Sequence, residues 1–224
     1  MISEVEFEDY VVLDFETSGL SPTRNRVLQV GLLRVRDGVV TGAPTSFLVN
    51  PMFPVAYDVP EHITEITGIS SEAVSRDGVS TVSALSRLFE FVGDDVVWAH
   101  NGILFDRLFL NAECYRNNKP IFDERRWLDS AALFKAWRLG VLRQLYEHDL
   151  FFTFAVDVLG RRVKGLKYNL QHCCRTLNIS EPDGIGFCAK APDEYLGIQW
   201  HDAAVDVLAT HWIVQRMRKI MEAL

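Results

Sequence analysis

"VVLDFETSGL", residues 11–20, sets two carboxylates, Asp14 and Glu16, into an otherwise apolar run. Val11, Leu13 and Phe15 alternate with Val12, Asp14 and Glu16, the two-residue period of a buried strand over 10–15. Side chains at i and i+2 of a strand leave the same face, so Asp14 and Glu16 project side by side. Two neighbouring carboxylates repel one another, and burial deepens the cost. A divalent cation that takes hard oxygen ligands, Mg²⁺ or Mn²⁺, removes it. Taken alone, the pair fits a solvated edge or loop better than half of a metal site. Its meaning depends on partners further along the chain.

Working outward, the strand opens a meander. "SGLSPTRN" is turn-like, "RVLQVGLLRVR" (26–36) is a second strand, Asp37-Gly38 signals a hairpin, and "SFLVNP" (46–51) is a third strand. The period then becomes helical. "SSEAVSRDG" and "TVSALSRLFEFVG" read as helices, the latter with Val82, Leu85, Leu88, Phe89 and Val92 on one stripe. "DDVVWAHN" is a short buried strand. "FDRLFLNAECYRNN" is a helix with Phe105, Leu108, Phe109 and Ala112 on one face. "RRWLDSAALFKAW" reads as a strand end and a helix capped by Asp129, and "KYNLQHCCRTLNI" as a further helix. Asp202–Leu224 is a long amphipathic helix that stacks Ala204, Leu208 and Trp212. Strands first and alternation afterwards predict an α/β fold, a mixed β-sheet with an antiparallel N-terminal meander, flanked by α-helices. The 224 residues are enough for one domain, 1–224, with a single core. Within 138–167, "LFFTFAVDVLGRR" fits a helix or a hairpin. "GRRVKGLK" then gathers Arg161, Arg162, Lys164 and Lys167 without an acid, as a solvated turn or a set of contacts to a polyanion.

The formal net charge of −7 argues against a broadly basic nucleic-acid coat protein. It leaves open an enzyme that holds nucleic acid locally through metal ions. "MISEVEFEDY" has no basic or apolar signal region, and no apolar run is long enough to span a membrane, so an intracellular, cytoplasmic protein is expected. Cys114, Cys173, Cys174 and Cys188 have no CxxC spacing, which speaks against a disulfide framework or a zinc site.

Two further segments bear on Asp14 and Glu16. In "WAHNGILFDRLFL", Asp106 follows a buried strand at the start of a helix, where an acid also suits the helix dipole. In "WHDAAVDVLATHW", Asp206 lies within a mostly apolar helix, five residues after His201. On an ideal helix that spacing rotates two side chains about 140° apart, so a shared site requires His201 on the entry loop or first turn. Singly, each residue has a bland structural reading; jointly and in this order, they point to one site.

At these residues the chain resembles the DEDDh-type 3′→5′ exonucleases of the ribonuclease H-like superfamily, which include polymerase proofreading subunits, ribonuclease T, oligoribonuclease and the TREX enzymes. "LDFETSGL", "HNGILFD" and "HDAAVD" are similar to the three family motifs, and "EHITEITGIS", "WLDSAALFKAW" and "GLKYNLQHCCRTLNI" to the segments between them. The resemblance covers most of residues 10–215. The second motif departs from the common HNxxFD: His100 to Asp106 reads HNxxxFD, a longer spacing similar to the TREX group, which loosens assignment to the proofreading branch. Residues 143–163 match the family pattern poorly and read as a possible insertion.

The resemblance implies that Asp14, Glu16, Asp106 and Asp206 hold two divalent ions, Mg²⁺ or Mn²⁺. Asp14 would bridge both, Glu16 and Asp206 would favour the ion at the attacking water, and Asp106 the ion at the leaving oxygen. His201 would be the general base, an imidazole exchanging its proton near neutral pH. Thr17, Leu20, Ile66, Asn101 and Phe105 would hold the terminal nucleotide, with core packing an equal reading for Leu20 and Ile66. The implied substrate is single-stranded or 3′-overhang DNA or RNA, and the product a nucleoside 5′-monophosphate. The short stretch after Asp206 favours a stand-alone homodimer over a polymerase-bound proofreader. A catalytically silent binding module on the same fold is the alternative, disfavoured because all four carboxylates and the histidine are present.

Overall fold

The computed structural model describes residues 5–147, 150–179 and 201–224. The first strand, β1 (Tyr10–Thr17), pairs antiparallel with β2 (Val27–Arg36). Asp37 and Gly38 both take positive φ, 52° and 73°, the paired left-handed turn that suits a tight hairpin. The hairpin returns β2 into the two-residue β3 (Val39–Val40). β4 (Thr45–Asn50) then pairs antiparallel with β2, so the meander forms as expected.

Two short helices follow, α1 (Glu61–Thr67) and α2 (Ser71–Asp77), the second capped by Ser70. β5 (Val79–Ser80) lies parallel to β4 and leads into α3 (Thr81–Val92), whose buried face carries Ala84, Leu85, Leu88 and Val92. Val82, expected on that face, is 47% exposed. β6 (Val96–Ala99) lies parallel to β1 and delivers the chain to α4 (Asp106–Arg116). β7 (Trp127–Asp129) lies parallel to β6 and runs into α5 (Ser130–Arg138), where the Asp129 carboxylate caps the helix by accepting from the Ala132 N–H. After α6 (Leu142–Tyr146), α7 (Phe151–Gly160) and α8 (Leu170–Thr176) comes the long α9 (Ala203–Glu222).

Among the described residues the sheet order is β5-β4-β2-β1-β6-β7, with β3 beside β2. β1 is therefore an interior strand with both faces covered. Tyr10, Val11, Val12 and Leu13 are wholly buried, and the polar end of the strand, with Glu16 and Thr17, is buried as well. α7 resolves the helix-or-hairpin alternative for "LFFTFAVDVLGRR" in favour of a helix, and Leu142 and Leu145 of α6 and Ala155 and Val158 of α7 are buried core.

Two helix faces differ from expectation. On α4, Leu108 is 38% exposed; the buried stripe runs through Phe109, Leu110, Glu113 and Cys114. Glu113 is tolerated there because Arg26 meets it with two hydrogen bonds, of 2.7 and 2.9 Å. On α9 the buried face runs through Ala203, Val207, Thr210, His211, Val214 and Met217, and Ala204 and Trp212 are only half-buried. His211 is accommodated because the Tyr10 hydroxyl, which accepts from the Gln215 amide, donates to its Nδ1 at 2.8 Å. Burial pushes the His211 imidazole down to about 4, so the ring is neutral. Cys114, Cys173 and Cys174 are buried free thiols, and Cys188 lies outside the described residues.

Candidate active site

An open cleft of about 790 Å³ lies at the end of β1. It is lined by Asp14 and Glu16 from β1, Asp106 from the start of α4, Asp206 from the first turn of α9, and His201 just ahead of that helix. The chain enters α9 through His201 in left-handed backbone, φ 66°, and Asp202, whose carboxylate caps the helix. Freed from helical geometry, His201 reaches the same cleft as Asp206. One donor atom each from Glu16, His201 and Asp206 lies within 4.8 Å of the other two.

Close packing fixes these elements against one another. The Asp106 Oδ1 accepts from the Phe15 N–H at 2.9 Å, which ties the start of α4 to β1. The Ala203 N–H donates to Gln29 Oε1 at 3.3 Å, which ties α9 to β2. A Cβ on Gly31 would stand 2.3 Å from the Ala203 carbonyl oxygen, so only glycine lets α9 approach β2 here. A Cβ on Gly102 would stand 2.2 Å from the Ala99 Cβ, which sets the tight bend leading to Asp106.

The carboxylates are held at an electrostatic cost. Burial, and then the neighbouring acids Asp106 and Asp202, push Asp14 well above the usual carboxylate range. Burial and the charge of Asp14 push Glu16 up to about 10. Burial also raises Asp106 to about 7, against the pull of its bond from Phe15. Asp206 rises to about 8 through burial and the charge of Asp14, although the His201 backbone hydrogen bond opposes the shift. Its Oδ1 is buried with no hydrogen-bond partner among the described residues. Repelling oxygens around an unsatisfied buried carboxylate form a donor set that fits hard divalent cations.

Every nucleotide-holding candidate lines the same cleft: Thr17, Leu20, Ile66, Asn101 and Phe105. Leu20 is 86% exposed and Ile66 is 52% exposed, which removes the core-packing reading for both. The Thr17 hydroxyl donates to the Gly19 carbonyl at 2.8 Å, bracing the loop that presents Leu20. Asn101 sits in left-handed backbone at φ 60°.

Supporting residues escaped the sequence reading. Asp129, read only as a cap, also accepts from the N–H groups of Asn101 and Ile103, each at 3.1 Å, and so holds the loop between β6 and α4. His100 lies 2.9 Å from the Tyr168 carbonyl through Nε2 and 2.8 Å from Ser130 Oγ through Nδ1. A carbonyl only accepts, so Nε2 carries the proton and Nδ1 accepts from Ser130. Burial pushes His100 down to about 4, which keeps it in that neutral state. The motif itself marked His100; nothing local marked Ser130 or Tyr168, because their proximity is created by the fold. In the basic turn, the Arg161 guanidinium is taken up by Asp157 at 2.5 Å.

A mixed sheet whose central strand presents an Asp-x-Glu pair to two further carboxylates and a histidine defines the ribonuclease H-like exonuclease class. The RNase_T family, described as exonuclease, matches residues 11–158, and the chain belongs to that family. Among curated relatives, the DNA polymerase III PolC-type protein of Ureaplasma parvum is 29% identical over 183 residues, covering 77% of this chain and 12% of the relative. The PolC-type protein of Bacillus subtilis is 31% identical over 125 residues, covering 53% and 8%. The chain thus spans a small fraction of these relatives. Among solved structures, the zinc-bound form of an E. coli ExoI–ssDNA complex superposes with a TM-score of 0.66 at 18% identity, covering 96% of this chain and 41% of the other. An ExoI/SSB-Ct complex matches equally well, with a TM-score of 0.66 at 18% identity, covering 96% and 42%. These structural likenesses establish the fold. No helix among the described residues is long and apolar enough to cross a membrane.

Proposed function

We propose that this chain, as one exonuclease domain, is a metal-dependent 3′→5′ exonuclease that releases nucleoside 5′-monophosphates from the 3′ end of single-stranded or overhanging DNA or RNA. The observation that carries this reading is the meeting of Glu16, His201 and Asp206 donors within 4.8 Å, in a cleft that Asp14 and Asp106 also line. Asp14, Glu16, Asp106 and Asp206 would hold two divalent cations, Mg²⁺ or Mn²⁺. When bound, such ions supply positive charge at the phosphoryl group and at its attacking and leaving oxygens.

The chain's own residues do the rest. His201, exposed at the cleft mouth, takes a proton from the attacking water. The water oxygen bonds to phosphorus, the bond from phosphorus to the preceding 3′ oxygen breaks, and that oxygen leaves as an alkoxide that takes up a proton from solvent to become the new 3′-hydroxyl. Leu20 and Ile66 offer apolar surface to the terminal base, and the ring of Phe105 adds to it. Asn101 supplies an amide beside the scissile group, and the Thr17 oxygen keeps its acceptor capacity while its proton is engaged with Gly19.

The test is digestion of labelled oligonucleotides with Mg²⁺ or Mn²⁺. Asp14→Ala and His201→Ala should abolish mononucleotide release, and full activity in EDTA would overturn the reading. A catalytically silent module would instead bind no pair of ions in a Mn²⁺ titration.

A second reading, editing in partnership with a DNA polymerase, is favoured by the similarity to PolC-type proteins across 77% of the chain. Co-purification with a polymerase subunit would support it. A homodimer rests on the resemblance to stand-alone exonucleases alone; light scattering at twice the 25.5 kDa chain mass tests it.

A further inference from the structure

The loop that presents Leu20, residues 18–26, is tied shut at its base. The Ser18 N–H donates to the Arg26 carbonyl at 2.9 Å, and the Arg26 N–H donates to Ser18 Oγ at 2.9 Å. Within the loop, the Asn25 amide donates to the Ser18 carbonyl at 3.0 Å and accepts from the Ser21 N–H at 3.0 Å. A loop closed in this way moves as one piece, so whatever holds its base sets where Leu20 stands.

That base is held by α4. Arg26 lays Nε and Nη2 on the two oxygens of Glu113, at 2.7 and 2.9 Å, a fork that fixes direction as well as distance. The Val27 N–H donates to the same carboxylate at 3.4 Å, and Arg26 Nη2 also reaches Thr81 Oγ1 at 3.4 Å. One turn further along α4, Arg116 lies 3.3 Å from Glu113 Oε1 and donates to the Pro22 carbonyl, in the middle of the loop. Glu113 is 2% exposed. A buried ion pair contributes little stability beyond an apolar pair of the same volume, so its worth here lies in direction.

The same helix begins at Asp106, whose Oδ1 accepts from the Phe15 N–H. Asp106 and Glu113 are seven residues apart, about 10 Å along a rigid helix. α4 is therefore anchored to β1 beside the acids at its start, and to the Leu20 loop two turns later. It acts as a fixed spacer between the carboxylates and the side chain that meets the terminal base.

We propose that Glu113 is a positioning residue for the terminal nucleotide: through Arg26 and Arg116 it fixes the Leu20 loop relative to the carboxylates, so that the base and the scissile phosphate are gripped in register. Glu113 touches no substrate and acts through Leu20. What Leu20 meets rests on the exonuclease reading; the hold of Glu113 on the loop does not.

The experiment is a double-mutant cycle on Glu113→Gln and Leu20→Ala, reading kcat and KM on a labelled oligonucleotide with Mn²⁺. Glutamine keeps the size of the side chain but offers one acceptor oxygen to a guanidinium fork that uses two. Glu113→Gln should raise KM by about tenfold, the binding that one leucine contact supplies, with kcat within about twofold. In a Leu20→Ala background the same change should raise KM no further. Arg116→Ala, which leaves the pair of Arg26 and Glu113 in place, should raise KM by a smaller factor. Tyr10→Phe, a core change away from the cleft, controls for lost stability and should leave KM alone. Hydrogen exchange gives a readout that needs no cleavage: residues 18–26 should exchange about tenfold faster in Glu113→Gln, with β1 and β2 unchanged. An equal rise in KM in both backgrounds, a fall in kcat with KM unchanged, or unaltered exchange in 18–26 would each overturn the proposal. If the wild type cleaves nothing, the exonuclease reading fails, and exchange alone decides whether Glu113 holds the loop.

Discussion

Asp206→Asn should make the metal-free protein more stable at neutral pH while weakening its response to metal. The folded protein holds the Asp206 carboxyl at about 8, whereas an unfolded chain ionises it near the ordinary aspartate value of about 3.9. Between those values the native state binds a proton that the unfolded state has lost. Stability contributed by such a raised acid is complete below the unfolded value and drains away as pH climbs toward the folded one. The slope is about 1.4 kcal/mol per pH unit for this one group. From pH 5 to pH 7 the wild type should therefore lose about 2.7 kcal/mol that the asparagine variant keeps. For a chain of this size that is on the order of 5–10 °C in Tm. The assay is urea denaturation in EDTA at pH 5, 6 and 7, followed by the fluorescence of the five tryptophans. Mn²⁺ should then stabilise the wild type increasingly as pH rises, since ligation needs the ionised carboxylate, and the variant much less. Parallel stability–pH curves for the two proteins in EDTA would refute the idea that Asp206 is a strained buried acid.

Other perturbations probe other links. Gly31→Ala drives a methyl group into the Ala203 carbonyl, so denaturation should show a loss of about 1–3 kcal/mol, and exonuclease assays a fall in kcat as His201 and Asp206 shift. Tyr10→Phe leaves His211 Nδ1 and the Gln215 amide each short of a partner in the core; a loss of about 1–3 kcal/mol in urea melts is expected, with KM unchanged. Leu20→Ala removes an exposed side chain, so stability should stay within about 0.5 kcal/mol while KM for oligonucleotides rises; a large stability loss would return Leu20 to the core.

What the sequence made legible follows the range over which each signal acts. β1, β2, the Asp37-Gly38 turn and the Asp129 cap are written in neighbouring residues, and each forms where its local pattern puts it. His201 illustrates a geometric deduction: its spacing from Asp206 excluded a shared helical face, and the backbone does leave the helix there. The helix faces were harder. Leu108 and Trp212 fit an apolar stripe on paper, but Glu113 and His211 took buried positions because distant partners, Arg26 and Tyr10, neutralise their polarity. Residues 138–167 were ambiguous because a short apolar run has no period of its own. Lys135 was invisible for the same reason as Ser130 and Tyr168, since carbonyls from a later turn are what permit its burial.

The contact between Gly31 and Ala203 also bears on when the candidate site is completed. β1 carries two of the acids, yet the third motif reaches them only after α9 has seated on β2. During synthesis the first strand emerges long before that helix, so a nascent chain holds only part of the candidate site. On the proposed exonuclease reading, competence to cut would then wait until nearly the whole fold has closed.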